Sequence, residues 1–522
     1  MPTSAKTLAL SIVGLLCWTL SSAQTAFNNG IFSASLESNS IGYINDSGLG
    51  AVIPDDRFGS NNYLKMDYNA GNFSAGMQLE GYLPALYGFE IGQQADPKKL
   101  FLASKYIRWS SERLSIHLGD IYDQFGNGLI FRSYEDRNLG FNNSLEGIQL
   151  AYSFTDWLSL RGMYGRPRLY TDYLDSWVRG ADLNLSISGI FGWKQLLLDL
   201  EGAFVSRYED LGTNLSNVNL FSASANFAWK GLTLKGEYAL KSQDFAAFSE
   251  AEAHRGAAIY AEAIYSRKAF SGSATFRIID HMGTMLSLQG TGTGNTLNYL
   301  PSLTRQYHYM LPNLNPYQVN VIGEAAGQLD LFYTLRSKSS RSKYWVFHAN
   351  ASTAWTISGK QSDDGIKRMM WGDVNADAEC HWGRNLKTTF LYSRQQWNPS
   401  HGYVDGDYVS NIFVADVQYK FSKRHALRGE MQYLQSKDYE GDWVAGLLEM
   451  TIAPHWNIYV SDMYNAGLTH KHYYTAGASW SKGATRIQLS YGRNRAGYVC
   501  SGGVCRYTPA YTGLNLMLTS SF

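Results

Sequence analysis

Stretches of alternating apolar and polar residues recur along almost the whole chain of 522 residues. In the stretch 484–492, for example, Ile487, Leu489 and Tyr491 alternate with polar residues such as Gln488. Period-two alternation puts successive side chains on opposite faces of a β-sheet. The pattern therefore predicts an all-β chain whose strands have one apolar and one polar face.

An apolar segment near the amino terminus predicts export. Lys6 is followed by the apolar run Leu8–Leu20 and then by small residues up to Ala23, the pattern of a secretory signal peptide. We predict cleavage after Ala23, so that residues 1–23 are removed and residues 24–522 form the mature domain. The run is shorter than the about 20 apolar residues that a spanning helix needs, and no later stretch approaches that length. The exported chain is then either soluble or crosses a membrane as a closed β-barrel.

The composition favours the membrane barrel. Aromatic residues make up 14% of the chain and charged residues only 17%, against roughly 25% charged residues in an average soluble domain. A secreted tyrosine-rich β-sandwich could share this composition, and the net charge of +1 argues against a nucleic-acid partner. The tryptophans favour the barrel, because many lie in or next to predicted tight turns, as an aromatic girdle at a membrane surface requires. They are Trp109, Trp157, Trp193, Trp229, Trp382, Trp456 and Trp480.

Short turns alternate with long polar connections, which is the asymmetry of an outer-membrane barrel with periplasmic turns and extracellular loops. The long connections include 84–99, 123–145, 281–318 and 396–409. Counting two strands for each short turn and one strand at either end predicts about 24 strands, within a range of about 20–26. The short turns used in this count are Asn69–Asn72, Ser110–Arg113, Thr155–Trp157, Gly192–Gln195, Lys230–Gly231, Ser266–Lys268, Ser337–Ser342, His381–Asn385, Ser422–Arg424, Ala453–Trp456 and Ser481–Gly483. The predicted fold is a single transmembrane antiparallel up-and-down β-barrel.

The chain ends on an alternating strand with an aromatic last residue. Leu514, Leu516 and Leu518 share one face of this strand, and Phe522 is the final residue. In an outer-membrane barrel such a strand closes the barrel, and the barrel-assembly machinery recognises the terminal aromatic residue. The alternative is that this strand closes the sheet of a soluble β-domain. We predict a multi-pass barrel in the outer membrane of a Gram-negative (diderm) bacterium. Its expected partners are outer-membrane lipid, lipopolysaccharide and, through Phe522, the barrel-assembly machinery.

Charged residues on the polar strand faces are candidates for the lining of the lumen. In a barrel surrounded by lipid, the apolar face looks outward and the charged face lines the interior. Such residues would set the selectivity of a channel. They are Glu80, Asp199, Glu201, Lys235, Glu237, Arg277, Asp416, Lys420, Arg428, Glu430 and Arg486.

The segment Tyr122–Ser144 joins two strands through a long connection rich in glycine and opposed charges. Such a loop can fold inward and narrow a pore; alternatively, it is a surface loop whose charges pair with one another. Barrels of 22 strands are plugged and those of 16–18 leave a water channel. Because we expect no plug-sized domain before the first strand, loops such as 123–145 and 281–318, or a partner, would have to fill the lumen. The constriction candidates are Phe125, Gly126, Gly128, Arg132, Glu135, Asp136 and Arg137.

Two cysteines near the carboxyl end flank a Gly-Gly turn. We predict a disulfide between Cys500 and Cys505, because exported proteins can form disulfides; two free thiols or a metal pair are the alternatives. Cys380 beside His381 is interpreted as an inert wall residue and not as a nucleophile.

The sequence predicts no enzyme and no cofactor. It contains no Gly-x-Ser-x-Gly, no His-Glu-x-x-His and no phosphate-binding glycine loop. His470 and His472 could bind a divalent metal, and Asp363–Asp364 and Asp405–Asp407 could bind Ca²⁺. Because solvated loops and turns use the same residues, we assign no metal site.

Two segments resemble a known family. Leu36–Asp46 and Asp123–Gly140 are similar to segments of a family of predicted outer-membrane barrels from Bacteroidota whose function is unassigned. The resemblance implies a diderm, anaerobe-type host and an outer-membrane location, but it implies no substrate and no catalytic residue.

The leading functional hypothesis is a porin-like channel for small solutes whose loops narrow the lumen. The alternative is a non-conducting structural or assembly barrel that docks a surface lipoprotein or a secretion-system partner. An outer-membrane lipase or protease would need a rim cluster of serine, histidine and an acid, which the sequence does not reveal.

Overall fold

The computed structural model of the chain is a single closed antiparallel β-barrel of 24 strands. The first strand pairs with the second on one edge and with the last on the other. The predicted up-and-down barrel and its predicted number of strands are therefore confirmed. The predicted signal peptide, residues 1–23, lies outside the described residues, which are 25–27, 30–50, 54–94, 97–358, 361–501 and 504–522.

The strands form because apolar and polar residues alternate over runs that are interrupted by turn-forming residues. In chain order they are Gly30–Ile44 (β1), Phe58–Ala70 (β2), Phe73–Tyr82 (β3), Leu100–Ser110 (β4), Leu114–Ile121 (β5), Leu145–Thr155 (β6), Leu158–Leu169 (β7), Trp177–Ser186 (β8), Leu196–Tyr208 (β9), Asn217–Trp229 (β10), Leu232–Asp244 (β11), His254–Arg267 (β12), Phe270–Asp280 (β13), Gly323–Arg336 (β14), Tyr344–Trp355 (β15), Met369–His381 (β16), Leu386–Trp397 (β17), Tyr408–Lys420 (β18), His425–Ser436 (β19), Trp443–Ile452 (β20), Trp456–Asn465 (β21), His472–Lys482 (β22), Thr485–Asn494 (β23) and Tyr511–Ser521 (β24).

Short elements decorate this barrel. Very short strands pair with the ends of barrel strands or with each other, and they are Thr25–Phe27, Glu135–Asp136, Phe141–Asn142, Asp172–Tyr173, Gly497–Ser501 and Val504–Thr508. The helical segments are Glu90–Gln93, Ile187–Phe191, Asn214–Ser216 and Leu311–Asn313. No helix among the described residues combines the length and the apolar character that a membrane span requires.

Short turns lie at one end of the barrel and long loops at the other, as predicted. Each of the predicted turns falls between two paired neighbouring strands, and β1 begins and β24 ends at this same end. We call this end the turn side and the opposite end the loop side. The longest loop-side connection, residues 281–322, joins β13 to β14.

The outer surface is an apolar belt. Leu489 in the middle of β23 is 47% exposed, and Phe413 and Tyr238 on other strands are similarly exposed. Their neighbours in sequence face inward, as Glu237 next to Tyr238 does, and are buried. Trp229 and four further turn-side tryptophans are exposed at the rim of the belt. These four are Trp109, Trp193, Trp382 and Trp456.

The interior is filled from the loop side by three loops that fold back into the bore. We call them L2 (residues 83–99), L3 (residues 122–144) and L7 (residues 281–322). Apolar residues from L3 and L7 share one core with inward-facing residues of β8–β13. Residues of L7 form a second core against β17–β20, and residues of L2 form a third against β1, β3 and β7.

Candidate functional site: the loop-filled bore

The tip of L3 is packed against the inner wall. Phe125, Leu129, Ile130 and Phe131 are fully buried together with inward-facing wall residues such as Val205. Burial of an apolar side chain of this size contributes about 1.5–3 kcal/mol relative to its exposed state. The docked position of L3 inside the barrel is therefore favoured over a position in water.

Two wall carboxylates hold the L3 backbone. The Gly126 N–H donates to Oε1 of Glu201 at 2.9 Å. The Asn127 N–H and Nδ2 donate to Oε2 of Glu237 at 2.7 and 2.9 Å. Gly126 has a φ of +51°, and a Cβ there would lie 2.7 Å from a carboxylate oxygen of Glu237. Glycine is favoured here because L side chains rarely adopt this positive φ, and a Cβ would displace the Glu237 carboxylate that holds the loop.

L3 and L7 are joined to each other as well as to the wall. The Asn298 side chain of L7 donates to the Leu129 carbonyl at 2.8 Å and accepts from the Thr284 N–H at 3.1 Å. The Arg132 guanidinium lies 3.9 Å from the ring centre of Tyr299 and 4.3 Å from that of Tyr134. Such cation–π contacts are worth roughly 0.5–2 kcal/mol. The two loops therefore behave as one body, which we call the plug.

L7 crosses the bore and reaches the opposite wall. The Tyr307 hydroxyl donates to Oδ2 of Asp373 at 2.5 Å, and the Leu311 N–H donates to Oε1 of Gln432 at 2.9 Å. Leu311 is fully buried against residues of β17–β20. Contacts with the wall therefore hold L7 on the opposite side of the bore as well as at β13 and β14, where the loop begins and ends.

Arginines of the wall form ion pairs beneath the plug and bind loop carbonyls. Arg207 pairs with Asp244 at 3.1 Å and donates to the Met285 carbonyl at 2.7 Å. Arg277 pairs with Glu324 at 2.6 Å and donates to the Pro301 carbonyl. All four of these ion-pairing side chains are fully buried. A third pair joins Arg168 to Glu80 at 3.3 Å, and Glu80 also accepts from the Tyr82 hydroxyl at 2.8 Å.

The remaining lumen candidates lie on inward faces nearer the turn side. Lys235 pairs with Glu262 at 3.0 Å, and Asp199 has one buried oxygen without a hydrogen-bond partner. Arg428 pairs with Asp416 at 2.9 Å and with Glu430 at 2.5 Å. Lys420 and Arg486 are exposed. Asp416 also accepts from the Tyr309 hydroxyl of L7 at 3.4 Å, so it contacts the plug as well. The other candidates of this group lie on inward faces toward the turn side.

The other constriction candidates of L3 turn toward β1–β3. Arg137 pairs with Glu37 at 2.8 Å and with Glu135 at 3.1 Å, while Asp136 accepts from backbone N–H groups of its own loop. Burial alone would lower the pKa of Arg137. The neighbouring carboxylates of Glu135 and Glu37 raise this pKa by more than burial lowers it, so the net shift is upward. Gly128 has a φ of +92° beside the Tyr299 side chain.

A cavity of about 620 Å³ remains on the side of the bore that the plug does not fill. Its walls come from β1, β2, β21, β23 and β24, from the plug, from L2, and from the loop L12 (residues 495–510). Three arginines and one glutamate are its charged lining residues. They are Arg137, Arg495, Arg506 and Glu37.

Arg506 is the least compensated of these cations. Its side chain is 5% exposed, and its terminal nitrogens donate to the carbonyls of Gly88 at 3.0 Å and Asn138 at 3.3 Å. Its Nε is buried without a hydrogen-bond partner. By contrast, Arg495 pairs with Glu440 at 3.2 Å. Burial lowers the pKa of Arg506, although Glu90 opposes this shift.

The predicted cysteine and metal residues lie on the loop side or in the wall. Cys500 and Cys505 are joined by a disulfide in L12, and Cys380 is a partly buried free thiol. His472 pairs with Asp462 at 2.6 Å. The carboxylates of the two possible Ca²⁺ turns are bridged by an arginine: Asp364 and Asp405 both contact Arg368.

Several plug-binding residues were missed by the sequence reasoning. Arg207 shares the strand and the face of Glu201, so strand alternation could have placed it on the inner wall. Arg506 lies in a loop without periodicity, and no sequence signal indicates its contact with Gly88, 418 residues away.

Solved structures similar to this chain are known at low sequence identity. The P pilus usher (PapC) translocation pore has 9% identity and a TM-score of 0.45, with 94% of this chain and 99% of that chain covered. OccK8 (OprE) of Pseudomonas aeruginosa has 10% identity and a TM-score of 0.39, with 95% and 98% covered. The siderophore receptor PirA of Pseudomonas aeruginosa has 9% identity and a TM-score of 0.45, with 94% and 80% covered.

No curated protein matches the sequence. A family model matches it over residues 5–522, which is nearly the whole chain. The match includes both segments on which the resemblance to a barrel family was based, Leu36–Asp46 and Asp123–Gly140. The chain therefore belongs to the family of unknown function DUF6029.

Proposed function

We propose that the protein is an outer-membrane channel for small solutes, with the turn side in the periplasm and the loop side outside the cell. The apolar outer belt supports this location, because exposed leucine and phenylalanine residues on every side of a barrel suit lipid and not water. The tryptophans at the turn-side rim suit a membrane interface. A host among the Bacteroidota is proposed on the family resemblance alone.

The observation that carries the proposal is the unfilled cavity beside the plug. L3 and L7 leave about 620 Å³ open along the wall formed by β23, β24, β1 and β2. Small solutes would pass between the plug and this wall, and the plug would exclude larger ones. The loops therefore perform the narrowing that a barrel of this width requires.

The charges of the cavity favour anionic solutes. Three arginines line it against one glutamate, and the buried Arg506 has no ion-pair partner among the described residues. A charged lining residue attracts the opposite charge strongly in a narrow, poorly solvated constriction. We therefore propose that the transported solutes carry a carboxylate, phosphate or similar anionic group.

Single-channel recording in planar bilayers tests this proposal. The wild-type protein is expected to give discrete conductance steps and, in a KCl gradient, a reversal potential that indicates preference for chloride. The variant Arg506→Gln is expected to lose most of this preference because it removes the uncompensated charge. Arg424→Gln, at an exposed position in a turn-side turn, is the matched control and should behave as the wild type. Persistent electrical silence would overturn the channel proposal.

A second candidate function is a non-conducting barrel that docks a surface lipoprotein or a secretion partner. The dense packing of the plug favours it, since Phe125, Ile130 and Leu311 are fully buried inside the bore. A stable partner that co-purifies from native membranes, together with absent conductance, would support this function over the channel. Conductance without a partner would support the channel.

A further inference from the structure

Two histidines and a glutamate converge at the loop-side rim, away from the bore cavity. Glu250 lies in L6 (residues 245–253), His254 begins β12, and His281 is the first residue of L7. One possible ligand atom from each residue lies within 4.8 Å of the others. The two imidazole rings have their centres 4.3 Å apart at an interplanar angle of 44°. Among the described residues, this is the group of three whose histidine and carboxylate atoms converge closely enough to hold a metal ion.

The carboxylate of this group is buried and incompletely bonded. The Glu250 side chain is 6% exposed, and its Oε2 accepts from the Ala246 N–H. Its Oε1 has no hydrogen-bond partner, although Nε2 of His281 lies only 3.3 Å away. A proton on Nε2 therefore does not point at Oε1. A buried carboxylate oxygen without a donor is costly, and a cation between these two atoms would satisfy both.

The far side of the His281 ring is already oriented. Its Nδ1 lies 2.6 Å from Oδ1 of Asp280, the distance of a strong hydrogen bond. With the Nδ1 proton donated to Asp280, Nε2 carries no proton, so its lone pair is available to a metal ion that Oε1 of Glu250 also contacts. Metal-binding histidines are commonly held in this way, with one nitrogen bonded to a carboxylate and the other on the metal.

We propose that Glu250, His254 and His281 bind a divalent transition-metal ion of the Zn²⁺ type. Two imidazole nitrogens and one carboxylate oxygen form a ligand set that Zn²⁺ accepts, whereas Ca²⁺ and Mg²⁺ prefer sites made of oxygen alone. His254 is exposed, so water completes the coordination from the solvent side. No ligand comes from the bore, and the site is independent of the proposed channel function.

The site links a short loop of the rim, L6, to the long loop L7, which forms part of the plug. Glu250 belongs to a short rim loop, whereas His281 is the root of the long plug loop L7, and the His281 N–H already donates to the Ile322 carbonyl at the other end of L7 at 2.7 Å. A bound ion would therefore hold both ends of L7 against L6 and β12.

Calorimetric titration of the detergent-folded, full-length protein with ZnCl₂ tests the proposal, provided that the protein carries no polyhistidine tag. We expect one equivalent of Zn²⁺ to bind. His281→Ala and His254→Ala should each weaken binding at least about tenfold, and Asp280→Asn, which removes the orienting carboxylate, by about 10–100-fold. Retained heat-modifiable mobility in electrophoresis would show that each variant folds.

The matched control is the double variant His470→Ala/His472→Ala, which removes the two loop histidines singled out from the sequence. This variant should bind Zn²⁺ as the wild type does. The proposal is overturned if the wild type binds no stoichiometric Zn²⁺, if binding survives both His254→Ala and His281→Ala, or if the control variant abolishes it.

Discussion

Buried arginines of the inner wall link the barrel to its plug. Arg207 is fully buried, pairs with Asp244 and donates to the Met285 carbonyl of L7. A buried ion pair contributes little over an apolar pair of the same shape, but the loss of one partner leaves an uncompensated charge. The loss of Arg207 alone should therefore be costly, because it leaves the Asp244 carboxylate buried.

The substitution Arg207→Met should destabilise the folded barrel by about 3–5 kcal/mol, because it leaves the Asp244 carboxylate buried without its main partner. Denaturant unfolding of the protein in lipid vesicles measures this loss. The triple variant Arg207→Met/Lys241→Met/Asp244→Leu should recover much of it, because it also removes the buried Lys241 ammonium, which lies 3.9 Å from Asp244. If the single and triple variants lose the same free energy, the ion pairs do not act as described.

The outward and inward faces differ in their tolerance of charge. Leu489→Arg on the outer belt should cost about 2–4 kcal/mol, because β23 would carry this charge to the middle of the lipid. Gln488→Arg, one residue away, should be nearly neutral, since Gln488 faces the interior and donates to the Tyr459 hydroxyl. The same unfolding measurement compares them, and equal losses would contradict the assignment of faces.

At the scale of elements, the strands were predictable and the docked loops were not. Strands and turns depend on neighbouring residues, so the alternation around Leu489 and the turn at Lys230–Gly231 could be predicted from the sequence alone. The inward orientation of Glu237 followed from the same alternation. Its partner Asn127 is 110 residues away in a loop without periodicity, so the contact could not be predicted. The sequence could suggest that L3 folds inward, but it gave no means of pairing the loop with the wall.

The docking of L3 depends on two carboxylates. The double variant Glu201→Ala/Glu237→Ala removes the acceptors of the Gly126 and Asn127 N–H groups. Hydrogen bonds to charged groups contribute about 1.5–3 kcal/mol each, so undocking should become at least about tenfold more frequent. Limited trypsin digestion measures this change through cleavage after Arg132 in L3.

Asp199→Ala provides the control for this experiment. Asp199 lies on β9 and on the same inward face as Glu201, but its buried oxygen has no hydrogen-bond partner. This variant should resist trypsin as the wild type does. Equal cleavage in both variants would mean that these carboxylates do not hold L3.

At the scale of the whole molecule, the barrel is closed by its two ends. β24 pairs with β23 on one side and with β1 on the other, so the seam joins the first and last barrel strands. The backbone N–H of Phe522 donates to the Ala34 carbonyl at 2.8 Å, and the Ala34 N–H donates back at 3.1 Å. Because closure removes both sheet edges, none of the 24 described barrel strands has an unpaired edge in the lipid.

The terminal phenylalanine should matter for assembly more than for stability. Phe522→Ala keeps the backbone bonds to Ala34, so the refolded variant should unfold in denaturant much as the wild type does. In cells, it should reach the outer membrane in reduced amounts if the barrel-assembly machinery reads the aromatic side chain. Quantification of membrane fractions checks this, and unchanged insertion would contradict recognition through Phe522.

L3 and L7 belong to the wall at both of their ends, since each connects two neighbouring strands. A stopper tethered in this way cannot be ejected from the barrel as a separate domain could. In the proposed channel, any widening of the route would require the loss of contacts between these loops and the wall. Point substitutions of individual wall residues would then change the free energy of opening without disturbing the strands.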